Sequence, residues 1–468
     1  MFDLLVRGGT VVTAESSALL DIAVEGERIV QIAPPGVLSA EAKRVLDATG
    51  CLVLPGGVDP HVHYGLKVFG VEAETQDHSA AAAFGGTTTL LDFVFQEPPT
   101  SLHDAIQAKQ EEAAGRMAVD YGFHVVLTGE IPFEVMDEIG DVIRGGIPTI
   151  KTMTTYHMMC DDGHRFGVMQ QVAEHGGLSV IHAEDDAIAN WLTKKYLREG
   201  KTHGAYIAET RPALVEEAAI RRVLLLAERT GSPLYILHMG AASGVAALTE
   251  SRERGLPVYG ETLTPYLSFT SDRLWDDANR GLLWNNYPTI KSQSDQDELW
   301  AALADDRLQT VGSDHFLIRA NDRYEKMGTT IDSLQCGQAG VELRLPVLYH
   351  LGVHQGRLTP SRFVEAVSTN PAKLMGLYPR KGTLAVGSDA DIVLLDPGKT
   401  WTVRHEDLHM TADYSCWEGW ELTGQVRTTV LRGSILVEDG RLVGSPTGGR
   451  FQERRLLPEV SANPRPGA

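Results

Sequence analysis

His61-Val62-His63 sets two imidazoles two residues apart, directly after Val53-Leu54-Pro55-Gly56-Gly57-Val58-Asp59-Pro60. Strand side chains alternate, so residues two apart point the same way. Two imidazoles on one side of a strand end can share a metal ion. The pair alone is ambiguous, because the chain has 16 histidines and many serve elsewhere. Three further residues narrow the reading. His182 ends the apolar run Ser179-Val180-Ile181, His238 ends Leu234-Tyr235-Ile236-Leu237, and Asp314 ends Gln309-Thr310-Val311-Gly312-Ser313. A core histidine bonded to backbone explains any one of them. Four histidines and an aspartate, all at predicted strand ends, point instead to a nitrogen- and oxygen-donor metal site. Lys151 follows Gly146-Ile147-Pro148-Thr149-Ile150, at the end of another apolar strand. A charged, unpaired amine is costly there. A lysine reaching out to solvent is the plain alternative, until its place among the other ligands is considered.

These residues need a scaffold that brings strand ends together. The middle of the chain alternates short apolar strands with amphipathic helices. Gly86-Thr87-Thr88-Thr89-Leu90-Leu91-Asp92-Phe93 reads as a strand, as do the runs before His182, His238 and Asp314. Ser101-Leu102-His103-Asp104 opens a helix with a capping pattern, and Leu214 to Glu228 is a helix with an apolar face. Repeated strand-then-helix units imply a parallel sheet. Eight such units fit the ~250 residues of a (β/α)8 barrel, whose catalytic groups stand at the C-terminal strand ends. A doubly wound open sheet is the alternative, but no Gly-rich dinucleotide fingerprint follows the first strand.

Both chain ends read as β-structure. Asp21-Ile22-Ala23-Val24 and Arg28-Ile29-Val30-Gln31-Ile32 flank Glu25-Gly26-Glu27 as a hairpin, and Asp439-Gly440 marks another near the C-terminus. The expected fold is α/β: a TIM-like barrel over 56–372, with a small β-sandwich built from 1–55 and 373–468. The Pro- and Gly-rich end from Ser461 to Ala468 is expected to be flexible.

Bulk properties exclude several classes of partner. The chain has 468 residues, 62 acidic and 42 basic, for a net charge of −20. Such a surface repels phosphate backbones and anionic lipid, so neither nucleic acid nor membrane is an expected partner. Cys51, Cys160, Cys336 and Cys416 form no C-x-x-C pair and read as reduced thiols. No basic leader followed by a long apolar run opens the chain, and no apolar stretch reaches spanning length. A cytoplasmic location is expected.

The ordered set His61-x-His63, Lys151, His182, His238 and Asp314 resembles the metal constellation of the cyclic amidohydrolases: hydantoinases, dihydropyrimidinases, allantoinases and dihydroorotases. The resemblance extends over nearly the whole chain. It includes Pro55-Gly56-Gly57-Val58-Asp59-Pro60-His61, Gly85-Gly86-Thr87-Thr88-Thr89, Gly312-Ser313-Asp314-His315, Asn370-Pro371-Ala372-Lys373, and Lys381-Gly382-Thr383 through Gly387-Ser388-Asp389-Ala390-Asp391. It implies two divalent metal ions, usually zinc, and a Lys151 converted by carbon dioxide to N6-carboxylysine. In similar enzymes such a carbamate bridges the two ions, which would remove the cost of a buried cation here. Asp314 would take the proton of the attacking water and pass it to the leaving ring nitrogen. Tyr156, five residues after Lys151, matches a tyrosine that stabilises the oxyanion in similar hydantoinases; an aromatic packing residue is the alternative reading. Similar enzymes are commonly homodimers or homotetramers.

The loops suggest a branch. Dihydroorotases resemble one another in an arginine shortly after H-x-H, where this chain has Tyr64-Gly65-Leu66-Lys67-Val68-Phe69. Lys67 is a partial substitute at best. Tyr64, Leu66, Val68, Phe69, Met153, Met158 and Met159 are candidates for an apolar substituent pocket, with core packing as the equal alternative. Many hydantoinases carry Ser-Pro-Pro-x-Arg where this chain has Asn286-Tyr287-Pro288-Thr289-Ile290-Lys291, and Asn-Gly-Gly-Pro-Gly-Val-Glu where it has Cys336-Gly337-Gln338-Ala339-Gly340-Val341-Glu342. Substrate contacts in similar enzymes are largely main-chain there, so backbone near Tyr287 and Cys336 is expected to hold the ring. The expected substrate is a small neutral cyclic amide, foremost a 5-substituted hydantoin or a dihydropyrimidine, opened to an N-carbamoyl amino acid. The alternatives are an allantoinase or dihydroorotase, a non-catalytic dihydropyrimidinase-related scaffold, and a superfamily deaminase or lactonase. The complete ligand set argues against the scaffold, and Lys151 against most deaminases.

Overall fold

The computed structural model describes residues 1–461 except 39, 40, 69, 98, 277–279 and 335. Phe69 and the end segment 462–468 therefore lie outside the described residues, as does the side chain of Val68.

Eight parallel strands follow one another around a barrel in chain order: Gly57–Asp59, Thr87–Gln96, Asp120–Leu127, Thr149–Met153, Leu178–His182, Leu234–Ile236, Val258–Leu263 and Thr310–Gly312. Nearly every strand residue is buried, as a parallel sheet covered on both faces requires. The first and last strands meet beyond their ladders. Ser313 N donates to Asp59 Oδ1 at 3.1 Å, and His63 N donates to His315 O at 2.8 Å. Inside, Leu91, Phe93, Leu178, Val180 and Tyr235 form one buried cluster with Met153.

Helices cover the outside. Ser101 caps Leu102–Ala113 by accepting from Asp104 N at 3.0 Å. Ala213–Thr230 buries Val215, Ala219, Ile220, Val223 and Ala227, the spacing of one helical face, and ends at Gly231 with φ +73°. That face packs into the same core as Leu234 and Ile236 of the sixth strand. No helix among the described residues is long and apolar enough to cross a membrane.

Both chain ends join one nine-stranded mixed sheet. Strand Phe2–Val12 pairs parallel with Ala42–Asp47 along its first half and with Leu52–Pro55 along its second. A bulge between Val6 and Gly9 lets it change partner. Gly9 is required there, because a Cβ would stand 2.4 Å from Val53 and 2.8 Å from Ala48. Strand Leu52–Pro55 pairs antiparallel with Ile392–Thr402 and so links the N-terminal to the C-terminal strands. Val6, Ile22, Val24, Ile29, Val53 and Ile392 share a core. Both expected hairpins form, Ser17–Glu25 with Arg28–Ala33 and Ser434–Glu438 with Arg441–Leu442.

Two devices tie this sheet to the barrel. Lys381 Nζ is 1% exposed and lies 2.7 Å from Asp120, 2.7 Å from Asp391 and 3.1 Å from Asp389. Asp120 opens the third barrel strand, and Arg432 pairs with it. Burial opposes the ammonium, but the three carboxylates outweigh it and hold Lys381 above its ordinary range. After the last sheet strand the chain returns to the barrel. Gln452 N donates to Tyr121 O at 2.7 Å, and the Arg454 guanidinium donates to Thr149 Oγ1 at 2.9 Å, to Met375 O at 3.1 Å and to Phe123 O. It is lodged near the N-terminal ends of the third and fourth strands, opposite the mouth that carries the histidines.

Candidate active site

His61 and His63 follow the first strand, His182 is the last residue of the fifth, His238 stands two residues past the sixth, and Asp314 two past the eighth. Lys151 differs from the expectation of a strand end. It is the middle residue of Thr149–Met153, paired with Val180, and so sits a turn of the pleat deeper. Its long side chain makes up the difference, and all six side chains line one cleft.

The donor atoms converge. His61 Nε2 lies 3.3 Å from His63 Nε2 and 3.1 Å from Asp314 Oδ1, which is 3.3 Å from His63 Nε2. The His238 ring is 5.3 Å from that of His61 and 4.4 Å from that of His182. Lys151 Nζ stands 4.0 Å over the Phe93 ring, whose face also stacks on His63 at 4.7 Å. Phe93 is thus a common floor for the lysine and the imidazole.

Surrounding groups fix the orientations. His61 Nδ1 shares a 2.8 Å hydrogen bond with Glu261 Oε1, leaving Nε2 toward the centre. Glu261 also accepts from Tyr235 Oη at 2.9 Å and from His238 N at 3.1 Å. His182 Nε2 lies 3.0 Å from Glu184 Oε2. Asn286 Nδ2 donates to Asp314 Oδ2 at 2.9 Å, which turns Oδ1 toward the histidines. Tyr156, His238 and Asp314 have φ of +68°, +37° and +48°. Non-glycine residues rarely adopt this conformation, and here half of the described ones that do so are in the cleft, where surrounding contacts hold the strain.

Electrostatics follow from burial and charge. Burial raises the Asp314 carboxyl, but the His61, His63 and His238 imidazoles outweigh it and hold the group well below the usual carboxylate range. Burial lowers the Lys151 amine to about 8, against the pull of Asp314 and Glu261. Burial, then the Glu184 carboxylate, raises the Tyr156 phenol, so it remains a donor. Buried ring nitrogens His63 Nδ1 and His238 Nδ1 have no hydrogen-bond partner among the described residues. The metal fit rests instead on His61, His63 and Asp314, which bring one donor atom each within 4.8 Å of one another, a nitrogen and oxygen set that suits a divalent ion. The trio Asp120, Asp389 and Asp391 is also compact enough for a metal, but the Lys381 ammonium occupies it.

The apolar expectations divide. Leu66, Met153 and Met158 line the cleft, with Tyr287 and Cys336. Phe95 and Phe316, which the sequence reading passed over, line it too. Burial raises the Cys336 thiol to about 12 and keeps it protonated. Tyr64 does not line it: its ring is fully buried beside His315, 5.3 Å away. Met159 is 42% exposed and is not part of the lining. Lys67 is also outside the cleft, 3.5 Å from Glu72 on the surface, so it offers no fixed cation. Glu184, Arg211, Glu261 and Asn286 were not singled out from sequence. The one available signal was Glu184, two residues past a strand-end histidine and so on its side of the chain.

A parallel barrel that gathers imidazoles, a carboxylate and a lysine at its C-terminal mouth is the architecture of a barrel enzyme with a candidate metal site. Residues 52–436 match the amidohydrolase family model, and the chain belongs to that family. It is 36% identical over 457 residues to a D-hydantoinase of Rhizobium radiobacter, covering 97% of this chain and 99% of that one. Its fold superposes on the crystal structure of dihydropyrimidinase from Brevibacillus agri NCHU1002 with a TM-score of 0.93 at 37% identity, over 97% of this chain and 99% of that one. An L-hydantoinase (dihydropyrimidinase) from Arthrobacter aurescens gives a TM-score of 0.90 at 31% identity, over 97% and 100%.

Proposed function

We propose that the protein opens the ring of a neutral cyclic ureide or imide, foremost a 5-substituted hydantoin or a dihydropyrimidine, to an N-carbamoyl amino acid. His61, His63, Lys151, His182, His238 and Asp314 would hold two divalent ions, with zinc the best match to the donor set. One observation carries the reading: all six side chains line a single cleft. When bound, the ions supply a water of lowered pKa and polarise the ring carbonyl. Lys151 acts as a carbamate. Its depressed basicity supports this, because only a neutral amine adds carbon dioxide.

Asp314 accepts the proton of the attacking water and returns it to the ring nitrogen as the C–N bond breaks. The new C–O bond leaves a carboxylate, and the nitrogen departs as part of a ureido group. Tyr156 donates to the oxygen that gains charge in between. Leu66, Phe95, Met153, Met158 and Phe316 give the substituent an apolar wall. Among the described residues, Lys151 is the lining's sole lysine or arginine, so no spare cation awaits a carboxylated ring. Backbone at Tyr287 and Cys336, both in the lining, would hold the ring amides. The Tyr287 hydroxyl itself donates to Leu334 O at 2.7 Å and is not free for substrate. The chain is proposed to work in the cytoplasm as a homodimer or homotetramer, which light scattering against the 51.0 kDa chain reads directly.

Elemental analysis tests the metal site. Active protein should carry two divalent ions per chain and lose turnover on chelation. Full activity after exhaustive chelation would defeat the proposal.

A further inference from the structure

Glu184 is a meeting point behind the cleft wall. Its carboxylate is fully buried. On Oε2 converge His182 Nε2 at 3.0 Å, the Tyr156 hydroxyl donating at 3.4 Å, and Arg211 Nη1 at 3.0 Å. Arg211 is 9% exposed. Its guanidinium lies 4.5 Å from the centre of the Tyr287 ring and 5.4 Å from that of Tyr156. The cation is thus lodged between one carboxylate and two aromatic rings that line the cleft.

We infer that Arg211 is a positioning residue for Tyr156, setting how the phenol is presented to the substrate oxyanion. The inference rests on the reading of Tyr156 as the oxyanion donor. A bond of 3.4 Å is long for O–H···O, which is ~2.7–2.8 Å when well formed. The phenol is parked on Glu184, not locked there, because the carboxylate charge is shared with the guanidinium. A developing oxyanion can therefore claim the proton donor. Without the guanidinium, Glu184 loses its nearest cation, and its buried charge falls on the remaining donors, His182 and the Tyr156 hydroxyl, drawing them closer. The phenol is then held back when the oxyanion forms. That loss falls on kcat more than on KM, because the oxyanion exists only on the way through the transition state. The contacts of the guanidinium with the Tyr287 and Tyr156 rings add a second constraint on where the phenol ring rests.

A double-mutant cycle on metal-loaded enzyme tests this, with 5-phenylhydantoin as substrate. The forms are wild type, Arg211→Gln, Tyr156→Phe and the double variant, with Arg211→Lys as a second substitution that keeps the cation. Metal content and thermal melting accompany each. Tyr156→Phe is compared first. Its kcat should fall by roughly 10²–10³, and a near-normal value sinks the oxyanion reading itself, whatever Arg211 does. If Tyr156→Phe is impaired, the Arg211 proposal stands or falls separately. Arg211→Gln should lower kcat by about tenfold or more, with KM within about threefold and metal content unchanged, yet cost under about threefold in the Tyr156→Phe background. An equal loss in both backgrounds overturns the proposal. Loss of metal or of the melting transition in both Arg211 variants also overturns it, because Arg211 would then support His182 or the fold.

Discussion

Asp314 performs two tasks with its two oxygens. Oδ1 faces the His61 and His63 imidazoles, while Oδ2 accepts from Asn286. Its backbone at φ +48° aims the carboxylate into the mouth of the barrel. The account expects Asp314→Asn to remove turnover more completely than metal, because the four imidazoles and the proposed Lys151 carbamate would remain as ligands. Activity and metal stoichiometry on one preparation check this; parallel loss of both would make Asp314 a ligand only. Lys151→Ala should abolish the two-ion site, short carboxylic acids should restore part of the activity, and bicarbonate should speed reconstitution of the apo-protein. An unmodified lysine in the active, metal-loaded enzyme would refute the carbamate. His182, His238 and Asp314 were legible as candidates because each closes an apolar run, whereas Lys151 stands mid-strand and was grouped with them by the resemblance. Arg211 was not legible. It lies 27 residues beyond Glu184 in the chain, and only the fold brings the two to 3.0 Å.

The elements were legible where a local pattern is strong. The two hairpins form at their Gly-containing turns, and Asp439 and Gly440 have φ of +47° and +71°, as a tight two-residue turn demands. The strand-helix alternation foretold a parallel barrel because period-two and period-3.6 patterns are local. Non-local pairing is different. The switch of strand Phe2–Val12 between two parallel partners depends on the space beside Gly9, which no local pattern encodes. Likewise Lys381 and Asp391 were recognisable as a motif, but not as a buried ion cluster closed by Asp120 from the barrel. That cluster holds sheet and barrel in register. Lys381→Met should cost about 3–5 kcal/mol of stability, because it strands buried carboxylates without their cation. A lowered urea midpoint would show it, and an unchanged midpoint would mean that the cluster is dispensable.

At the scale of the whole molecule, the barrel supplies a mouth and the loops choose the substrate. The net charge of −20 gives no help to an anionic ring, and the cleft lining offers Leu66, Phe95, Met153, Met158 and Phe316 instead. Substituent size and polarity, not charge capture, should therefore rank substrates. The central claim is ring opening of neutral, apolar-substituted cyclic amides, and one comparison of kcat/KM on metal-replete enzyme tests it most directly. Phenyl- or alkylhydantoins should exceed dihydroorotate and allantoin by well over tenfold, a gap of more than ~1.4 kcal/mol in transition-state binding. The reverse ranking, with dihydroorotate or allantoin preferred, would contradict the account.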